Sequence, residues 1–143
     1  MDLLVNIDVD DLDRAVHFYT SAFGLTVGRR FGAGGAELLG GSAPIYLLVK
    51  EGGSPASSAT SQARDYARHW TPVHLDIVVA DIDAAVERAM QAGAALEQAV
   101  RASNWGKLAL MSDPFGHGFC LVQFVGRGYD EIATTPGESR HGH

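Results

Sequence analysis

The chain repeats itself, and the repeat limits what it can fold into. Laying residues 4–22 over residues 74–92, an offset of 70, puts Ile7 on Ile77, Val9 on Val79, Asp11 on Asp81 and Asp13 on Asp83. The same offset puts Ala15 on Ala85, Val16 on Val86 and Ala22 on Ala92. One residue of slippage then brings Gly24 to Gly93. Each copy reads as an apolar strand, an Asp-initiated helix and a glycine stop. Apolar residues alternate in Val5-Ile7-Val9 and Leu75-Ile77-Val79, the period of a strand. Asp11 and Asp81 suit the N-cap, where a carboxylate accepts orphan backbone N–H groups and meets the positive helix end. Ile82, Ala85, Val86, Ala89 and Met90 form the stripe of a half-buried helix, and Leu12, Ala15, Val16, Tyr19 and Phe23 form its counterpart. Gly24 and Gly93 stand where a left-handed residue ends a helix.

Three strand-like runs with glycine-rich turns follow each helix. They are 25–30, 36–39 and 44–50 in the first copy, and 96–101, 107–112 and 119–125 in the second. This predicts an α+β fold of two tandem βαβββ modules within one domain, 1–143. Module one takes 3–51, a connector 52–70, module two 71–126 and a polar tail 127–143. The Gly/Ser-rich start of the connector reads as flexible. Residues 62–70 read as a short helix, and the tail from Tyr129 as polar and frayed at its end.

With 143 residues, 46% hydrophobic and 20% charged, the chain is globular and has no room for two independent domains. A net charge of −6 argues against nonspecific nucleic-acid binding and against docking on an anionic membrane. No apolar run approaches a bilayer span, the N-terminus lacks a signal pattern, and the single cysteine, Cys120, rules out an internal disulfide. A cytoplasmic protein is expected. No nucleophile elbow, phosphate loop or dinucleotide fingerprint is present.

The segments VDDLDRAVHFYTSAFGL (9–25), VADIDAAVERAMQAGA (79–94) and MSDPFGHGFCLVQF (111–124) resemble the repeated entry and last hairpin of the vicinal oxygen chelate superfamily. This is the group of glyoxalases, bleomycin-resistance proteins and extradiol dioxygenases. The likeness covers residues 3–125. It implies that the strands of two modules curl into a cup, with the helices outside and the functional residues on the concave face. It also implies a homodimer. By alternation, Leu4, Asn6 and Asp8 then face the cup, as do His74, Asp76 and Val78, Tyr46, Leu48 and Lys50, and Cys120, Val122 and Phe124.

Metal-dependent members of that superfamily place ligands on the first and last strands of each module. Those positions are Leu4, Tyr46, His74 and Cys120 here. Leucine has no donor, tyrosine ligates poorly at neutral pH, and cysteine stands where the pattern has glutamate. No metal site and no cofactor are therefore expected, with a divalent ion (Zn, Fe, Mn or Ni) as the minority reading. His117 reads as a turn residue, His17 as a solvated one, and Cys120 as a small buried hydrophobe.

A metal-free cup leaves a partly apolar pocket for a small organic ligand, aromatic or cationic. Its expected lining is Asn6, Asp8, Tyr46, Lys50, His74, Trp105, Cys120 and Phe124, with His69 and Trp70 placed to cap it. The pattern resembles the drug-binding, bleomycin-resistance branch, and so implies sequestration of a small molecule. The alternative is a lyase, isomerase or dioxygenase with an atypical metal site, or metal-free acid–base chemistry by His74 and Asp76. Whether the protein is an enzyme stays open at this level.

Overall fold

The computed structural model describes residues 1–135. Module one runs β1 (Val5–Val9), α1 (Leu12–Phe23), β2 (Thr26–Arg30), β3 (Gly35–Leu39) and β4 (Ile45–Val49). Module two runs β5 (Leu75–Val78), α2 (Ile82–Ala92), β6 (Ala95–Ala102), β7 (Gly106–Ser112) and β8 (Gly118–Phe124). The expected βαβββ order appears twice. The caps also stand where the repeat placed them. Asp11 accepts from the Arg14 amide and Asp81 from the Ala84 amide, while Gly24 and Gly93 close the helices at φ +69° and +122°.

Each module makes one four-stranded mixed sheet, in the order β1-β4-β3-β2 and β5-β8-β7-β6. The first and last strands of a module pair in parallel, and the remaining pairs are antiparallel. The alternation fixes the faces. Val9 and Leu47 are buried beneath α1, and Ala109, Met111 and Leu121 beneath α2. Asn6, Tyr46 and Glu37 share register on the opposite face of one sheet, as Asp76, Cys120 and Leu110 do on the other.

The modules are held together by exchanged aromatic residues. Phe18, from α1, lies in the core of module two beside Ile82, Val86 and Phe119. Phe115, from the β7–β8 turn, lies in the core of module one beside Val9, Tyr19 and Leu47. Both rings are almost fully buried. Removing such a ring costs about 3–5 kcal/mol, so neither module keeps a complete core without the other.

Two expectations are corrected. The connector is neither a loose coil nor helical at 62–70; it is a non-helical strap. Pro55 and Ala63 form an antiparallel bridge, closed by Gly53 N–H to Arg64 O (2.7 Å) and Arg64 N–H to Ser54 O (2.8 Å). The Arg64 guanidinium reaches the Asp8 carboxylate at 2.8 Å and Pro55 O at 2.5 Å. Tyr66 donates to Lys50 O at 2.7 Å, and Arg68 pairs with Glu97 at 2.6 and 3.0 Å. These three long side chains anchor a segment whose Ser/Gly content suggested disorder. The end of the tail, expected to fray, lies outside the described residues, and only its start is seen. Gly128–Glu131 form a 3-10 turn, and Tyr129 stacks near Trp105 and Phe124 at 5.0 and 4.8 Å. His141 and His143 lie outside the described residues.

Candidate functional site

The expected lining residues do not share one pocket; they separate into three groups. The first centres on His74. A cavity of about 370 Å³ opens between β1 and β5, lined by Asn6, Asp8, His69, His74, His117 and apolar side chains such as Phe23, Ile77 and Phe119. A second, of about 200 Å³, lies on the concave face of module two and takes His74, Cys120, Trp70, Arg68, Glu97 and Leu110. His74 lies on the wall of both. A larger groove of about 720 Å³ runs between the modules along α1, α2 and β5.

His74, Asp76 and Cys120 converge in that first group. Their ligand-capable atoms lie within 4.8 Å of one another, and His74 Nε2 stands 3.2 Å from the Asp76 carboxylate. This follows from the parallel pairing that puts Asp76 beside Cys120. Burial, and then the neighbouring Asp76 charge, push the Cys120 thiol up to about 11. It therefore stays a thiol at neutral pH and is no ready nucleophile. Asp8 is already paired with Arg64.

The second group is Tyr46, with two residues that pattern reading passed over, Glu37 and Arg29. Arg29 meets Glu37 by its backbone amide and by a forked guanidinium contact at 2.6–3.2 Å, and Tyr46 donates to Glu37 at 2.8 Å. A strand charge between the core-facing Ala36 and Leu38 was the available signal. The guanidinium hydrogen bonds lead the effects that pull the Glu37 carboxyl down to about 2, followed by the Arg29 amide and Tyr46. A lowered carboxylate stabilises the fold above its unfolded value and loses that contribution as pH falls. Acid titration is thus expected to show destabilisation between about pH 4.5 and 2, with a shallower slope in Glu37→Gln. Equal slopes in the two proteins overturn this.

The third group is Trp105, Phe124 and Tyr129, an aromatic cluster 4.8–6.1 Å between centroids at the far end of β8. Lys50 lies exposed just beyond β4. His117, expected to be only a turn residue, instead joins the modules. Its Nε2 reaches Asp8 O at 2.7 Å, and its Nδ1 faces His69 Nε2 at 3.2 Å.

The model of the glyoxalase-like domain family matches residues 4–122. The chain belongs to the glyoxalase-like family. An uncharacterized protein of Mycobacterium tuberculosis is 31% identical to this glyoxalase-like protein over 121 residues, covering 82% of this chain and 71% of its own. A glyoxalase/bleomycin resistance protein/dioxygenase family enzyme from Burkholderia phytofirmans superposes with TM-score 0.71 at 22% identity, covering 87% of this chain and all of its own (100%). The fosfomycin resistance protein FosX of Listeria monocytogenes superposes with TM-score 0.64 at 19% identity, over 86% and 92% of the two chains. The fold is that of the vicinal oxygen chelate superfamily.

The superfamily's metal does not fit its four positions here. Leu4 offers no donor, the Tyr46 hydroxyl is engaged with Glu37, and Cys120 stands where the superfamily pattern has glutamate. Only His74 remains at an inherited position as a competent ligand, and its Nε2 faces the Asp76 carboxylate at 3.2 Å.

Proposed function

We propose that this glyoxalase-like protein is a metal-independent small-molecule-binding protein that acts by sequestration, in the manner of the drug-resistance branch of its superfamily. The observation that carries the reading is the His74-centred cavity of about 370 Å³, which has apolar walls and a few convergent polar groups. Volumes of this order suit a small organic ligand. Asp8 is paired with Arg64, and Asp76 lines the neighbouring groove between the modules, so Asn6 and His74 are the polar groups of this cavity left to meet a ligand. A fosfomycin resistance protein among the structural neighbours supports a role in drug resistance. A homodimer belongs to the proposal on the superfamily resemblance alone. Among the described residues, no helix is long and apolar enough to cross a membrane.

The test uses protein truncated after Thr135, which removes His141 and His143 as stray ligands. A thermal-shift screen of aromatic and cationic compounds supplies a ligand, and calorimetry compares wild type with His74→Ala. Affinity is expected to fall about tenfold or more, the effect of a lost polar contact. Melting should stay within about 3 °C, because the His74 side chain is 53% exposed. Near-stoichiometric metal that disappears in the variant overturns the metal-independent reading.

The 3.2 Å His74–Asp76 contact favours one second reading. A carboxylate that orients an imidazole suits proton transfer, so the alternative is a metal-free lyase or isomerase with His74 as acid–base group. Turnover that is lost in both His74→Ala and Asp76→Asn would establish it.

A further inference from the structure

The chain of contacts Ala67–His69–His117–Asp8 has a hydrogen-bond count that two neutral imidazoles cannot satisfy. His117 Nε2 lies 2.7 Å from the backbone oxygen of Asp8, and His69 Nδ1 lies 3.0 Å from that of Ala67. A carbonyl only accepts, so each of these nitrogens carries a proton. A neutral imidazole has one N–H, and both are thereby used. The remaining nitrogens, His117 Nδ1 and His69 Nε2, then face each other at 3.2 Å with two lone pairs and no hydrogen between them. That contact is attractive only if something positive lies in it.

We infer that His69 and His117 form a proton-binding site, sharing one proton and one positive charge that tie the strap to both modules. A proton fits the gap directly, since 3.2 Å is an N–H···N distance. A metal ion would need further donors, and the one three-donor cluster among the described residues, His74 with Asp76 and Cys120, includes neither ring. The rings stand nearly perpendicular, at 87°.

The charge sits among groups that favour it and groups that oppose it. Asp8 of β1 lies beside it but is paired with Arg64 of the strap. Arg68 of the strap is paired with Glu97 of β6. Asp113 of the β7–β8 turn accepts the His117 amide, Tyr66 of the strap lies 6.3 Å from the His117 ring, and His74 of module two lines the same cavity. Removing the shared proton leaves opposed lone pairs, and adding a second leaves opposed N–H groups. Strap docking is therefore tightest while the pair holds one extra proton, and it loosens on either side. The inference stands on these contacts and does not use the ligand reading.

The experiment is nitrogen NMR of the full chain labelled with 15N-histidine, with strap amide exchange measured across pH and corrected for its intrinsic pH dependence. Three protonated nitrogens among the four of the pair are expected in the pH range where the strap amides exchange most slowly. The His69 amide, which bonds Gly116 O, should exchange about fivefold faster at alkaline pH, when one hydrogen bond is lost. In His117→Ala the strap should exchange fast at every pH. Only two protonated nitrogens, or strap exchange independent of pH in wild type, overturns the proposal. So does stoichiometric zinc, from zinc added alone, that is lost in both His69→Ala and His117→Ala. The nitrogen count is read on wild type, so it survives a variant that fails to fold.

Discussion

Asp113→Ala is expected to lower stability by about 3–5 kcal/mol, among the largest effects of any single polar substitution in this chain. Asp113 is buried and accepts three hydrogen bonds: from the Tyr19 hydroxyl, from the Phe115 amide at 2.8 Å and from the His117 amide at 2.9 Å. Burial first, and then the Asp113 charge, hold the Tyr19 hydroxyl protonated well above the ordinary tyrosine value, so it donates. The alanine variant leaves a buried hydroxyl and two turn amides without their acceptor. It also releases the turn that inserts Phe115 into the core of module one. For a chain of this size the melting temperature should fall by about 10–15 °C. Tyr19→Phe removes only one donor and should lose about 1–2 kcal/mol. Denaturant melts should stay two-state, because the modules share cores. An Asp113→Ala midpoint within a few degrees of wild type would sink the argument.

How much of this was legible in the sequence follows from which forces are local. The repeat, both N-caps and both helix stops depend on neighbouring residues, and each stands where the spacing places it. Which residues of β1, β4, β5 and β8 share a face follows from alternation alone. The grouping of the site was not legible. It depends on strand register between distant segments, which brings Glu37 to Tyr46 and Asp76 to Cys120. The strap was misread because serine and glycine content registers what cannot pack. It does not register the guanidinium groups of Arg64 and Arg68, which find carboxylates 56 and 29 residues away. His117 does sit in the turn, but its contacts with Asp8 and His69 were not legible for the same reason, since these become neighbours only once the strap is laid down.

Gly116→Ala is expected to detach the strap while leaving the two cores folded. Gly116 has φ +82°, a region that costs an L-residue about 1–2 kcal/mol. A Cβ there would also lie 2.6 Å from Ala67 C and 2.9 Å from Tyr66 O, and closer still to Ala67 O. All three are strap backbone atoms, so no rotamer change relieves the clash. The strap must move, taking with it the His69 N–H bond to Gly116 O at 3.2 Å and the His69 contact with His117. Gly32→Ala is the control. Its φ is +60°, but a Cβ there meets nothing within 4 Å, so only the backbone penalty remains. Local opening of a segment without its own core should show as faster cleavage within 55–62, by about tenfold or more, with helix amides still protected. Gly32→Ala should leave that cleavage rate near wild type. The docked strap is refuted if the two variants cleave alike, because Gly116, unlike Gly32, has strap backbone within clash distance of its Cβ position.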